Sequence, residues 1–189
     1  MNISDDLILA QPAGSGWSWT LASRFAQMLE DAQQQFGPRD ASYTPAGIEI
    51  ADTPTPYIWY WYVASGKYLI VRLTLSCATD TVRACYQLAH ETIHFLSPTG
   101  TNKTNVLEEG VATLFAHRYV IQNFGVPYPP GANKYERAEK LAETLLAVDA
   151  DAVRKVRAIQ PAFSKITVDD LTKVCACPSD LAGQLLEPF

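Results

Sequence analysis

His90 and His94 stand four residues apart, with Glu91 directly after the first of them. On an α-helix, side chains at that spacing project from one face a turn apart, so the two imidazoles can share a single metal ion. Zinc suits such a pair, because it takes neutral imidazole nitrogens in a tetrahedral shell that needs a third protein ligand and keeps one position open. Glu91 is rotated about 100° round the helix from His90, outside the same inner shell but within reach of a water held by the ion. The expected chemistry is zinc-dependent hydrolysis of a peptide bond, with His90 and His94 as ligands and Glu91 as general base. The ion lowers the pKa of the water and polarises the scissile carbonyl, while the carboxylate takes a proton and returns it to the leaving amine. The plain alternative is two histidines making ordinary hydrogen bonds at a helix edge.

The pattern around these residues predicts elements able to hold them. Val82, Cys85, Ala89, Ile93 and Leu96 form an apolar stripe at helical spacing that opens near Thr79-Asp80 and ends at Ser97-Pro98. Upstream, Leu21, Phe25, Met28, Ala32 and Phe36 predict an amphipathic helix over 18–36, stopped by Gly37-Pro38. Three strand candidates lie between, over Gly47–Ala51, Tyr57–Val63 and Tyr68–Leu75, the last two flanking Ala64-Ser65-Gly66-Lys67 as a hairpin. Downstream, Asn105 with Glu108 three residues on resembles a capping box opening a helix that runs to about Asn123 before Gly125. Tyr128-Pro129-Pro130-Gly131 reads as a rigid loop, and helices are expected over 133–148, 151–159, 168–174 and 179–186. A helix, then strands, then several helices is an α+β order. The chain is expected to form one domain over 1–189, with an N-terminal lobe over about 1–97 and a helical C-terminal lobe over about 98–189.

A third zinc ligand is needed. The residues after His94, Phe95-Leu96-Ser97-Pro98-Thr99-Gly100, lack the Gly and His that metzincins place there. Gly100-Thr101-Asn102-Lys103-Thr104 has Thr where aspzincins carry their Asp, and the Glu-Gly-Cys segment of peptide deformylases is missing. Leu107-Glu108-Glu109-Gly110-Val111-Ala112-Thr113 remains. It resembles the Asn-Glu-Gly-Phe-Ala segment that carries the zinc glutamate in membrane-alanyl-type aminopeptidases. The arrangement is thus similar to a gluzincin in minimal form, and the resemblance covers about Cys85 to Arg118.

The resemblance implies a zincin-like fold, in which a small mixed or antiparallel sheet packs on the His-bearing helix. It implies Zn2+ as cofactor and Glu109 as third ligand. It also implies that substrate is bound as an added strand at the sheet edge, for which Tyr57–Val63 is the candidate; the same aromatics could instead fill the core. Relatives stabilise the oxyanion with a Tyr or His from a later helix, and Tyr135 and Tyr128 are the nearest candidates, although either could be a packing tyrosine. With Asn105 as cap, Glu108 falls at the third helical position and can return to the cap's backbone N–H, whereas Glu109 lies about 100° further round. Ala112, Thr113 and Ala116 share the Glu109 face and would permit close helix approach. His117, two turns beyond, is read as a structural or supporting histidine.

The composition narrows the partners. Hydrophobic residues make up 48% and charged residues 19%, as in an ordinary globular chain. The 15 Lys and Arg against 20 Asp and Glu give a net charge of -5 without a basic run, so nucleic acid is not an expected partner. Leu7–Ala10 is too short for a signal core, and Tyr57–Leu75 is interrupted by Ser65-Gly66-Lys67, so neither export nor a membrane is expected. Cys77, Cys85, Cys175 and Cys177 are expected as free thiols of a cytoplasmic protein, with Cys175 and Cys177 reading as ordinary residues near a helix end rather than half a metal site. The expectation is a metallopeptidase acting on a peptide or protein substrate. Its rival is a catalytically silent relative with a binding or regulatory role, against which the intact Glu91 counts.

Overall fold

A computed structural model describes residues 3–63, 66–101, 103–128 and 132–189. The expected turn residues Ala64 and Ser65 and the Pro129–Gly131 part of the expected rigid loop lie outside the described residues. The chain opens with a single helical turn, α1 (Asp5–Ile8), and a two-residue ladder between β1 (Pro12–Ala13) and β2 (Gly16–Trp17). Both are too short to leave a periodic signal in the sequence.

The amphipathic helix α2 spans Leu21–Phe36. Its start is three residues later than the apolar spacing alone predicts, because Thr20 and Ser23 form a reciprocal capping box there. Three longer strands follow: β3 (Thr44–Ala51), β4 (Tyr57–Val63) and β5 (Gly66–Thr74). Their spatial order is β3-β5-β4, with β3 parallel and β4 antiparallel to β5, so the sheet is mixed and β4 is an edge. The centre goes to the strand with a continuous aliphatic run: Leu69, Ile70, Val71 and Leu73 of β5 are all buried. The aromatic strand β4 can occupy an edge because its large rings pack sideways as well as inward. On the outer face, the Arg72 guanidinium lies 3.8 Å from the centre of the Trp59 ring and donates to Tyr57 Oη and to a Glu49 carboxylate oxygen, each at 2.8 Å.

The helices that follow are α3 (Thr81–His94), α4 (Val106–Phe124), α5 (Asn133–Val148), α6 (Ala152–Ile159), α7 (Val168–Val174) and α8 (Ser179–Leu185). The result is a mixed α+β fold with small sheets. One apolar core joins α2, the inner sheet face, α3 and α4, with Phe25 and Phe95 packed edge to face at 5.3 Å. The four cysteines are buried free thiols. No helix among the described residues is long and apolar enough to cross a membrane.

A buried cation ties the ends of this core together. Arg157 of α6 donates to the carbonyls of Phe36, Gly37 and Pro38 past the end of α2 and to that of Leu96 past the end of α3. Carbonyls that a helix C-terminus leaves unpaired thereby find donors, and the cation sits where the helix dipoles favour it. Desolvation lowers the Arg157 pKa to about 10, which still leaves it charged at neutral pH.

Candidate metal centre

The His-bearing helix forms where the sequence predicts it. Asp80 caps α3 by accepting from Arg83 N at 2.9 Å, and Cys85, Leu88, Ala89, Thr92 and Ile93 bury one face in the core. The other face, carrying Tyr86, Gln87, His90, Glu91 and His94, forms one wall of a cleft of about 540 Å³. Helix α4 begins at Asn105, whose side-chain oxygen accepts from Glu108 N at 2.9 Å. It ends at Gly125, held in the left-handed region with φ of 68°, where glycine carries no Cβ penalty. Glu108 and Glu109 therefore sit in the first turn of α4, where the dipole favours anions, and both carboxylates face the cleft.

The two helices bring five polar side chains together. His90, Glu91 and His94 each offer a donor atom within 4.8 Å of the others, a group able to hold a metal ion. The Glu109 carboxylate lies 3.3 Å from His90 Nε2 and 3.7 Å from His94 Nε2. Donors each about 2.0–2.1 Å from a tetrahedral ion are roughly 3.3–3.4 Å from one another. The first spacing falls in that range and the second slightly beyond it, and the nitrogen-and-oxygen donor set is one that could hold a metal ion.

Charge compensation points the same way. Glu91, Glu108 and Glu109 are buried, with only two imidazoles among them. Buried carboxylates need a counter-charge, which can come from protons on the histidines or from a cation between them. Without metal, protons do the work. Burial alone would depress the His94 pKa, but Glu109 and Glu108 outweigh it and push it up to about 10. Burial alone would raise Glu109, yet His94, His90 and the Thr104 hydroxyl hold its carboxyl down at about 2. Glu91 is different: desolvation dominates over the attraction of His94 and His90, and its pKa is raised.

Glu108 departs from its expected role. Asn105 caps α4 as the sequence predicts, but the Glu108 carboxylate does not close the capping box; its Oε1 lies 2.9 Å from His94 Nδ1. A carboxylate on the far nitrogen of a ligating imidazole fixes the ring's orientation and leaves Nε2 for the ion. Nothing local in the sequence favours this partner over the cap N–H, since the choice depends on how α3 and α4 cross. Tyr86 was also missed, although its place four residues before His90 puts it on the same helix face. Its ring stacks on Tyr128 with centroids 4.1 Å apart, and the two together line the cleft beside the histidines.

Both candidate tyrosines line the cleft, and Tyr135 is the one beside His90, their ring centres 6.0 Å apart. Burial, and the charges of Glu109 and Glu91, raise its pKa. His117 is elsewhere: its Nδ1 lies 2.6 Å from Glu139 Oε1 of α5, and its ring packs against Tyr86. Across the cleft, Ile58 and Tyr60 of the edge strand form part of the lining, as does Tyr57, whose side chain joins Trp59 and Arg72 on the outer face of the sheet. Ile58 is buried and Tyr60 packs on the core, whereas Trp61 and Tyr62 are exposed, so the aromatics of this strand do not as a group fill the core. Comparisons with protein-family models, with curated proteins and with solved structures find no match.

Proposed function

We propose that the protein is a zinc metallopeptidase of gluzincin type with a zincin-like fold, acting on a peptide or protein substrate laid along the cleft. The observation that carries this reading is the Glu109 carboxylate facing Nε2 of both His90 and His94, with Glu91 on the same wall. His90, His94 and Glu109 would hold the ion, and Glu108 would orient His94 through Nδ1. When bound, zinc supplies polarisation of a peptide carbonyl and acidification of a water.

The chain's own groups do the rest. Glu91 accepts a proton from a water in the cleft, for which its raised pKa makes it a better base than a solvated carboxylate. It then returns the proton to the leaving amine. The Tyr135 hydroxyl donates to the oxygen on which negative charge develops. The β4 edge offers backbone groups for pairing with an extended peptide, a geometry that positions the scissile bond with little side-chain specificity.

The test is the Glu91→Gln variant, assayed for metal content by mass spectrometry and for cleavage of a broad peptide library. Hydrolysis should fall by about 10³-fold or more while zinc stoichiometry is unchanged. Wild-type protein that binds zinc but cleaves nothing would favour a silent binding domain instead.

A further inference from the structure

The segment Glu187–Phe189 follows α8 and returns to the mouth of the cleft. It pairs with the residues that lead into α4: Val106 N donates to the Glu187 carbonyl at 3.0 Å and Phe189 N to the Thr104 carbonyl at 3.1 Å, with Asn105 and Pro188 bridged antiparallel between them. Its side chains reach the other way, to the first turn of α5. Arg137 Nη2 lies 3.0 Å from a Glu187 carboxylate oxygen, the Lys134 ammonium sits 4.1 Å above the Phe189 ring, and that ring packs at 5.0 Å against Tyr135. The strap therefore bridges two elements that the site needs in register. One is the start of α4, which carries Glu108 and Glu109 and is preceded by Thr104; the other is the turn of α5 that carries Tyr135.

We infer that Phe189, anchored by this strap, is a positioning residue that fixes the Tyr135 ring beside His90. The physical case is one of constraint. Tyr135 lies two residues after the N-terminal end of α5, where no side chain caps the helix, so its ring needs a tertiary neighbour to hold one rotamer. Its ring meets His90 at 6.0 Å and Phe189 at 5.0 Å, both tilted or edge-on, the geometry that aromatic quadrupoles favour, and the Lys134 ammonium lies 5.2 Å from its centre. The Lys134 cation over the Phe189 ring and the pairing of Phe189 N–H orient that ring in turn. Removing the Phe189 ring takes away the nearer of its two aromatic neighbours and widens the range of χ1 and χ2 open to Tyr135. For turnover this inference rests on the peptidase reading, in which the Tyr135 hydroxyl must meet a developing negative charge within a few tenths of an ångström.

The experiment uses the full chain labelled with ¹³Cζ-tyrosine and loaded with zinc, the Tyr135 signal being assigned by its loss in Tyr135→Phe. In Phe189→Ala that signal should move and broaden, kcat should fall about 10- to 100-fold, and KM and zinc affinity should stay within about twofold. Phe189→Tyr keeps the ring and should restore both the signal and kcat. Arg137→Ala, which loosens the strap from an exposed position, should move the signal less but in the same direction, so a poorly folding Phe189→Ala does not leave the matter open. A Tyr135 signal unmoved in both Phe189→Ala and Arg137→Ala overturns the inference, as does a loss of zinc affinity that accounts for the whole fall in rate. A signal that moves in a protein whose wild type cleaves nothing supports the strap and counts against the peptidase reading alone.

Discussion

His94 is held at both ring nitrogens by neighbouring residues of one helix turn: Nδ1 lies 2.9 Å from Glu108, and Nε2 lies 3.7 Å from Glu109. Both carboxylates come from the first turn of α4, Glu108 within hydrogen-bond distance and Glu109 near the second nitrogen. An imidazole pinned in this way has one tautomer to offer a metal, with the proton on Nδ1 and the lone pair on Nε2.

Glu108 is therefore expected to tune metal affinity. Glu108→Ala should weaken zinc binding by about 10- to 100-fold, measured by competition with a chromogenic chelator. The Asn105 cap is intact in that variant, since it uses Glu108 N–H and not the carboxylate. Asn105→Ala should instead cost about 1 kcal/mol or more of stability, because its amide also donates to the Phe163 carbonyl at 2.8 Å. Unchanged zinc affinity in Glu108→Ala would exclude it as the partner that orients His94.

The third ligand can be tested against its neighbours. Glu109→Ala should lose most zinc affinity, whereas His117→Ala should bind zinc nearly as wild type and lose only stability, because His117 links α4 to Glu139 of α5. Equal zinc content in wild type and Glu109→Ala would end the gluzincin assignment.

Acidity should act with a defined sign. In metal-free protein His94 is raised from 6.5 to about 10, so its stabilising contribution is complete below pH 6.5 and is lost as pH climbs through 10. Glu109 is lowered from 4.5 to about 2, so its contribution is complete above pH 4.5 and is lost as pH falls through 2. This pair therefore stabilises the metal-free fold most between pH 4.5 and 6.5. Zinc must displace the His94 proton. Calorimetry at pH 7 in buffers of different ionisation enthalpy should read about one proton released per ion bound; no release would count against His94 as a ligand.

Gly110 sets the packing of the helix that carries Glu109. A Cβ at this position would run into the Ala138 carbonyl of α5, with the Ala142 methyl close behind. The Gly110→Ala variant should lose about 1–3 kcal/mol to overpacking, visible in chemical denaturation. Zinc affinity should fall with it, because α4 can relieve the clash only by moving its first turn. Stability equal to wild type would show that the two helices can separate at no cost to the core.

Much of the site was legible along the chain because its parts are local. Helical spacing put His90, Glu91 and His94 on one helix, and the Asn105 cap fixed the start of the next, so that Glu109 fell in its first turn; these depend on hydrogen bonds and periods a few residues long. The apolar stripes of α2 and α3 and the run of β-formers in β4 were legible for the same reason. Contacts across the chain decided the rest. The sheet order depends on how the strands pair across the chain, and β5 takes the centre between strands that precede it in sequence. Glu108 could have closed its capping box, but the crossing of α3 over α4 offers it the His94 imidazole, a charge-assisted partner stronger than a neutral backbone N–H. Tyr135 and Tyr128 were indistinguishable in sequence. They differ because His90, 45 residues before Tyr135, and Phe189, 54 residues after it, meet at one ring, and no period or cap encodes a meeting that only the packed core brings about.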